Sequence, residues 1–300
     1  MNVDKNRHPG ITARVLFKAV RVLLHNTISM SLVGASRVLY PRDTPNWVDV
    51  TKISLSMARL APEFDGYRLV QISDLHIGTW LERNHLAQAI EMVNQQHPDM
   101  VAITGDFVTY GADRYSGDLA AELSKICAQD GVVAVLGNHD HWSDPDEVRR
   151  VLEQVGIREL KNVFYTLKRG TACLHICGVD DFMTEQDHLE LVLEKLPPEG
   201  AAILLAHEPD FADVSASSQR FDLQLSGHSH GGQVILPWIG APILPGFGRK
   251  YSSGLYRVNG MFVYTNRGLG TAELQVRINC RPEITVFTLQ SVKTITENDS

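Results

Sequence analysis

Residues 68–76 read Arg68-Leu69-Val70-Gln71-Ile72-Ser73-Asp74-Leu75-His76, and this stretch decides the fold. Its first five residues form a short, mostly apolar run that predicts a β-strand. Residues 82–96 follow with an apolar stripe at helical spacing, and Pro98 lies just past the end of that helix. Residues 100–104 are nearly all apolar, as expected for a strand whose sheet is covered on both faces. The order strand, helix, strand predicts an α/β fold.

The alternation of strands and helices continues along the chain. Further strands are predicted where short apolar runs are bounded by turn residues: 47–53, 132–136, 163–167, 171–178 and 201–205. The runs at 163–167 and 171–178 flank Lys168-Arg169-Gly170, which predicts a hairpin. Further helices are expected over 118–128, from the capping residues 143–147 onwards, and over 187–196. Beyond residue 221 the sequence predicts mostly short strands and turns.

Several of these apolar strands run straight into clusters of Asp, His and Asn. The clusters are Asp74 with His76, Gly105-Asp106, Gly137-Asn138-His139-Asp140, His207, and Gly227-His228-Ser229-His230. In parallel α/β sheets, sites form where the carboxyl ends of the strands meet. Any one cluster is explained by turn or capping chemistry, but that explanation is improbable for the whole series. We therefore expect these side chains at one edge of the sheet.

Carboxylate, imidazole and amide ligands together suit two divalent ions that share one carboxylate. Two such ions about 3.5–4 Å apart can clamp a phosphoryl group for in-line attack. The ligand types fit Mn²⁺, Fe²⁺ or Zn²⁺, and the order of affinities does not select among them. The sequence thus predicts a two-metal site for phosphoryl chemistry.

The five blocks, in this order and spacing, resemble the calcineurin-like metallophosphoesterase family. The resemblance covers roughly residues 64–289. It implies a four-layer α/β/β/α sandwich with the metals at its edge. It also implies a role for each matching residue: Asp74, His76 and His230 on one metal, Asn138, His207 and His228 on the other, and Asp106 bridging both. In the same pattern His139 is the general acid or a phosphate contact, and Asp140 orients its ring.

The expected function is hydrolysis of a phosphodiester or pyrophosphate bond. Within the family the chain resembles a bacterial membrane-associated phosphodiesterase subgroup, similar to enzymes that cleave UDP-2,3-diacylglucosamine, a lipid A precursor. The supporting stretches lie outside the metal motifs and include 231–233, 249–251 and 264–270. The alternatives are a phosphodiesterase or phosphatase of small nucleotides, and a metal-stabilised binding module without turnover. A formal net charge of -7 argues against a nucleic-acid polymer as partner.

Three cations are candidate contacts to a substrate phosphate: Arg249, Lys250 and Arg267. For Arg267, a structural role in a turn is the alternative. Residues 235–245 form a long apolar loop that either contacts acyl chains or a membrane, or folds over a small core of its own.

The chain divides into an N-terminal basic amphipathic segment and linker (1–45), a metallophosphoesterase domain (46–290) and a tail (291–300). Arg14, Lys18, Arg21 and His25 line up on one helix face, which indicates peripheral membrane contact through residues 11–40. We expect this contact at the cytoplasmic face. A signal peptide of an exported protein and a helix packed on a cytoplasmic domain are the alternatives.

Some histidines and cysteines lie outside these motifs. We interpret His85 and His141 as ordinary surface or capping residues. Cys173 and Cys177 flank His175 at strand spacing, which indicates small core residues on one strand face rather than metal ligands.

Overall fold

The computed structural model describes residues 47–272 and 274–292, which form two mixed β-sheets of six strands each. The spatial order of the first sheet is β1 (Asp49–Met57), β12 (Glu283–Ser291), β2 (Arg68–Ile72), β3 (Met100–Thr104), β4 (Val132–Val135) and β5 (Arg158–Glu159). The spatial order of the second sheet is β10 (Gly254–Val258), β11 (Met261–Thr265), β9 (Leu223–Ser226), β8 (Ala201–Leu205), β7 (Ala172–Gly178) and β6 (Val163–Arg169).

Within each sheet, the strands that precede the predicted site run parallel to one another. β2, β3, β4 and β5 are parallel, and so are β7, β8 and β9. Antiparallel pairs occur between β12 and β2, between β10 and β11, and in the predicted hairpin of β6 and β7. The carboxyl ends of the parallel strands consequently face one edge of the molecule.

The helices cover the outer faces of the two sheets. Their bounds are α1 (Arg83–Asn94), α2 (Ala112–Leu123), α3 (Asn138–Ser143), α4 (Pro145–Gln154), α5 (Leu189–Lys195) and α6 (Ala212–Ser215). One apolar cluster joins α1, α2 and α4 to the first sheet, and another joins α5 and α6 to the second. A third cluster fills the space between the sheets. This is the predicted four-layer α/β/β/α sandwich, and the fold class is confirmed.

Strand β2 shows how alternation builds these layers. Val70 and Ile72 face the helices, whereas Leu69 packs between the sheets. Gln71 also lies between the sheets, where its Nε2 donates to Thr104 Oγ1 and to the Ser226 carbonyl of β9, both at 2.9 Å. A fully buried amide therefore connects β2, β3 and β9 near the ends that carry the site.

Most of the predicted elements agree with the structure, and α2 is the main correction. It begins at Ala112 rather than at 118, because Gly111 adopts a left-handed φ of 66° and turns the chain into the helix early. Helix α4 begins as predicted, with Pro145 in its first turn and Asp144 Oδ1 accepting from the Glu147 N–H at 3.1 Å.

The interpretation of His85 and His141 as ordinary surface or capping residues is wrong. His85 is buried and its ring packs against Trp47, with centroids 5.8 Å apart. His141 is largely buried and its Nε2 lies 2.8 Å from Asp180 Oδ1. Cys177 belongs to the core of the second sheet, as predicted, while Cys173 is half-buried.

The predicted N-terminal segment, including residues 11–40, lies outside the described residues. Over 47–272 and 274–292, no helix combines the length and apolarity that crossing a bilayer requires. The domain bounds stay predictions, although Ser291 belongs to β12 rather than to a separate tail.

Candidate active site

The loops after β2, β3, β4, β8 and β9 bring all seven predicted metal ligands to one edge of the sandwich. Each ligand side chain is at least nine-tenths buried: Asp74, His76, Asp106, Asn138, His207, His228 and His230. Because they come from five separate loops, the fold rather than local sequence brings them together. Their binding of metal stays a prediction.

Most of these ligands occupy a backbone conformation that side chains rarely adopt. Asp74, His76, Asp106, His228 and His230 have φ between 44° and 65°. The left-handed region is uncommon for residues other than glycine and is typical of strained functional sites. The sharp turns that follow the strands aim each side chain back over the sheet edge.

Two glycines make room for this packing. A Cβ on Gly137 would collide with Asp106 and His207, and a Cβ on Gly227 would collide with Ser73 and Asp74. The glycines in the Gly137-Asn138 and Gly227-His228 motifs are therefore required by close approach of the ligands themselves.

The first ligand group contains Asp74, His76, Asp106 and His230, whose ligand atoms all lie within 4.8 Å of one another. His76 Nε2 lies 3.3 Å from Asp106 Oδ2 and 3.1 Å from His230 Nε2. His230 Nε2 lies 3.3 Å from Asp74 Oδ1. Two carboxylates and two imidazoles thus converge on one point.

The second group contains Asp106, His207 and His228. His207 Nε2 lies 3.2 Å from Asp106 Oδ2, and His228 Nδ1 lies 2.8 Å from Asn138 Oδ1. Asp106 belongs to both groups, which is the geometry of a bridging carboxylate.

Backbone carbonyls orient two of the rings. Thr104 O lies 2.6 Å from His207 Nδ1, and Gly246 O lies 2.7 Å from His228 Nε2. A carbonyl only accepts, so each of these ring nitrogens carries the proton and donates it. The other nitrogen, His207 Nε2 or His228 Nδ1, is the one directed at the ligand cluster. Such outer hydrogen bonds commonly fix the tautomer of a metal-binding histidine.

The donor atoms fit divalent cations. Asp106 Oδ2 and His207 Nε2 are buried, and neither has a hydrogen-bond partner among the described residues. Buried polar atoms without partners are costly, and nearly all native ones are satisfied. The two atoms lie only 3.2 Å apart, so a shared cation would satisfy both.

The charges in the cluster also suit metal binding. Burial lowers the pKa of His228 to about 4 and holds the pKa of His230 well below its ordinary value. Both rings are therefore neutral at pH 7, and a neutral imidazole is the form that binds metal. Burial opposes the charged form of Asp106, but His207 and His76 outweigh burial and keep its pKa well below the usual range. Burial raises the pKa of Asp74 to about 6.

Comparison with known proteins decides the family. The family model described as calcineurin-like phosphoesterase matches residues 67–232, which include every predicted ligand. The chain belongs to the calcineurin-like phosphoesterase family. It is a metal-dependent phosphoesterase, and the buried His and Asp cluster fits the dinuclear site of that family.

Curated bacterial relatives cover most of the chain. It is 35% identical over 251 residues to the uncharacterized metallophosphoesterase YkuE of Bacillus subtilis, covering 82% of this chain and 87% of YkuE. It is 28% identical over 254 residues to the phosphodiesterase YaeI of Escherichia coli, covering 82% of this chain and 89% of YaeI. A more distant relative is the UDP-2,3-diacylglucosamine pyrophosphatase LpxG of Chlamydia muridarum, 25% identical over 332 residues, covering 89% of this chain and 98% of LpxG.

His139 lies beside the phosphoesterase ligands. Its backbone N–H donates to Asp106 Oδ1 at 2.9 Å, and its ring meets the rings of His76 and Trp142 edge-on, each at 4.9 Å between centroids. Its Nδ1 is buried without a hydrogen-bond partner among the described residues. Burial lowers the pKa of this ring.

Asp140, predicted to orient the His139 ring, bonds backbone groups in the structure. Asp140 Oδ1 accepts from the N–H groups of Phe107 and Val108, at 2.9 and 3.2 Å, and Oδ2 accepts from the Gly137 N–H at 3.0 Å. The carboxylate therefore connects the loops after β3 and β4. Burial raises its pKa to about 7.

A cavity of about 380 Å³ opens over the ligand cluster. Asp106, Asn138, His139, His228 and His230 form its polar side. Its apolar wall consists of Trp142, Met183, Ile243, Pro245 and Leu274. No lysine or arginine is among the described residues that line this cavity.

The three predicted phosphate contacts lie away from the cavity wall. Lys250 Nζ bonds Asp213 at 2.6 Å, and the Arg267 guanidinium lies 3.2 Å from both Glu283 and Asp49. Arg249 donates through Nε to the Leu244 carbonyl at 3.4 Å and is exposed. Arg267 thus has the structural role given as its alternative, and the structure does not bring Arg249 or Lys250 to the ligands.

Sequence reasoning missed Arg277, a fully buried arginine behind the site. Its guanidinium donates to the Gly268 and Gly270 carbonyls at 3.1 and 2.6 Å and approaches His230 Nδ1 at 3.4 Å. No local motif marks this residue, because its partners are backbone carbonyls and a distant ligand.

Proposed function

We propose that the chain hydrolyses a phosphodiester or pyrophosphate bond in a substrate that carries an apolar group, such as a nucleotide-linked lipid of the UDP-2,3-diacylglucosamine kind. One observation carries the proposal: the cavity over the ligand cluster is lined by apolar side chains as well as by the ligands. An apolar wall gains free energy when it removes a hydrocarbon or aromatic group from water. The relatedness to YaeI and LpxG supports the same reaction class.

In the proposed site, Asp74, His76 and His230 hold one ion, Asn138, His207 and His228 hold the other, and Asp106 holds both. When bound, two ions of Mn²⁺, Fe²⁺ or Zn²⁺ supply Lewis acidity to the phosphoryl group and lower the pKa of water. The protein's part is to hold the phosphate at the cluster and to direct the apolar remainder of the substrate along Trp142, Ile243 and Leu274.

His139 is the proposed catalytic residue that does not bind metal. Its ring lines the cavity beside Asp106, and its Nδ1 is not engaged within the described part of the chain. It donates a proton to the leaving oxygen or a hydrogen bond to a phosphoryl oxygen. Asp140 supports it indirectly by holding the loops after β3 and β4 together.

A small nucleotide is the second candidate substrate. Trp142 is half exposed at the cavity wall, and an exposed indole beside a phosphate site suits stacking of a nucleobase. Nucleotide and nucleotide-linked lipid share the phosphate and the base, and they differ in the acyl chains.

We also propose peripheral membrane association at the cytoplasmic face through residues 11–40, with 46–290 as the catalytic domain. The spacing of Arg14, Lys18, Arg21 and His25 in the sequence, which is the spacing of one face of a helix, supports the association. An exported protein and a protein free in the cytoplasm are the alternatives.

The test compares substrates on the purified full chain. Hydrolysis of a chromogenic phosphodiester with Mn²⁺, abolished by a chelator, is expected; its absence with every metal tried would support a binding module instead. A UDP-linked diacyl sugar is expected to show a higher kcat/KM than the corresponding UDP-sugar without acyl chains. Equal kcat/KM values for these two substrates, together with good activity on mononucleotides, would favour a small nucleotide as the substrate.

A further inference from the structure

The apolar loop beyond the ligand motif ends in an exposed turn. Residues 234–248 contain no Asp, Glu, Lys or Arg. The N–H groups of Leu236 and Gly240 each donate to the other residue's carbonyl at 2.9 Å, which closes a tight turn. Trp238 at its tip is fully exposed, Ile239 is 71% exposed and Ile243 is 69% exposed. A loop folded over a core of its own would cover these side chains.

Trp238 is also strained. Pro237 precedes it, the Ile239 N–H donates to the Leu236 carbonyl at 3.3 Å, and Trp238 has a φ of 69°. The third position of such a turn needs positive φ and favours glycine or asparagine. A bulky residue there destabilises the turn, and over residues 47–272 and 274–292 nothing covers the indole in return. A contact that offsets this cost lies beyond the described residues.

The chemistry of the tip points to a lipid surface. A stable protein interface takes about 20–30 residues per partner, whereas this tip offers a few convex side chains. An indole combines an apolar body with an N–H donor, which suits the interface between lipid headgroups and acyl chains. Arg249 and Lys250 follow the uncharged segment directly, where they suit anionic headgroups, although Lys250 also bonds Asp213.

We propose that Trp238 and Ile239 form a docking tip that inserts into the interfacial layer of an anionic bilayer. Ile243, on the same loop, belongs both to the exposed surface and to the cavity wall. Docking of the tip therefore brings the open side of the cavity to the membrane. This proposal does not rest on the proposed substrate, because docking is measured without hydrolysis. The docking tip is also separate from the membrane contact proposed for residues 11–40.

The first test measures partitioning of the full chain onto phosphatidylcholine vesicles with and without phosphatidylglycerol. Trp238→Gly is expected to weaken partitioning onto the anionic vesicles about tenfold, because it removes the large side chain that the bilayer would bury. The matched control is Leu191→Ser, which removes an exposed leucine of α5 and is expected to partition as the wild type does. Hydrolysis of a soluble diester by Trp238→Gly is expected to match the wild type. Undiminished partitioning of Trp238→Gly would overturn the proposal and leave residues 11–40 as the anchor.

The second test locates the indole. Brominated acyl chains are expected to quench part of the wild-type fluorescence, and this quenched part is expected to be absent from Trp238→Gly. Glycine relieves the strain at this position, so a Tm at or above that of the wild type separates loss of docking from loss of the fold. If sedimentation shows that the substitution dissolves a dimer while partitioning is unchanged, the tip is a contact between two copies and the membrane proposal fails.

Discussion

Asp106 Oδ2 lies 3.2 Å from His207 Nε2, and both atoms are buried without a hydrogen-bond partner among the described residues. His76 Nε2 approaches the same oxygen at 3.3 Å. One carboxylate oxygen thus faces a histidine of each ligand group.

Asp106→Asn is expected to weaken retention of both ions, because the amide keeps the shape of the side chain but loses the charge that both groups share. Elemental analysis after dialysis should show the metal content of the variant falling below half that of the wild type. Asp118→Asn, which changes an exposed carboxylate of α2, is the control and should retain full content. Two ions retained by the Asp106 variant would refute the bridging role.

His139→Ala is expected to keep its metals and lose about 10²–10⁴-fold in kcat on a diester with a poor leaving group, the usual contribution of a positioned acid. The loss should be smaller for a nitrophenol ester, whose leaving oxygen needs no proton. His188→Ala, at an exposed histidine, controls for general effects. Equal losses on both esters would assign His139 to phosphate contact rather than to proton donation.

Metal binding is expected to release a proton from His207. Burial opposes the charged form of this ring, but Asp106 outweighs burial and raises its pKa well above the ordinary value. This direction favours the doubly protonated ring in the metal-free protein, and a bound cation would displace the second proton. Calorimetric titration with Mn²⁺ in two buffers of different ionisation enthalpy measures this release. A heat that does not depend on the buffer would show that the ring is already neutral.

The pair of His141 and Asp180 is expected to make stability depend on pH. Burial lowers the pKa of His141, but its hydrogen bond to Asp180 outweighs burial, and the pKa in the folded state is raised. Because the folded value exceeds the unfolded value, the stabilisation is present below about pH 6.5 and is lost as the pH rises through the folded value. His141→Gln should thus lose roughly 1 kcal/mol more stability at pH 5.5 than at pH 8.5.

Urea unfolding of both proteins at the two pH values measures this difference. His97→Gln, at an exposed histidine after α1, is the control and should show no such dependence. If the free energies of unfolding of wild type and His141→Gln differ by the same amount at both pH values, the substitution removes packing rather than a charge interaction.

Gln71→Leu is expected to destabilise the fold by about 1–3 kcal/mol, because Thr104 and Ser226 lose the amide that bonds them in the buried space between the sheets. Chemical denaturation gives the change, and Gln95→Leu at the exposed end of α1 serves as control. A neutral effect of Gln71→Leu would indicate that these two acceptors find other donors.

Local pattern was enough to predict the strands and the Asp, His and Asn side chains at their ends, whereas the four layers and the role of each ligand were implied by the family resemblance. The strands at 100–104 and 201–205 are almost entirely apolar because both faces of their sheets are covered. Their composition alone therefore predicts buried strands. The ligands follow strand ends, so their convergence at one edge follows from parallel strand order. The position of these residues directly after a strand was therefore sufficient to predict that they lie close together.

Side-chain partners from distant parts of the chain escaped prediction. Asp140 bonds N–H groups more than 30 positions away, and Arg267 pairs with Asp49 at the other end of the domain. His85 and His141 are buried by residues that no local window contains. The left-handed backbone of Trp238 was equally invisible, because proline-tryptophan does not signal positive φ.

The hydrogen bond from His228 Nε2 to the Gly246 carbonyl has a thermodynamic consequence. Gly246 belongs to the same loop as the docking tip, Ile243 and Pro245. One segment therefore orients the ring of a predicted metal ligand and carries the proposed contact with lipid. Linkage requires reciprocity: whatever lipid contact adds to metal affinity through this loop, the metal adds by the same factor to lipid affinity. If the docking tip binds lipid as proposed, metal binding and membrane binding are expected to be thermodynamically coupled.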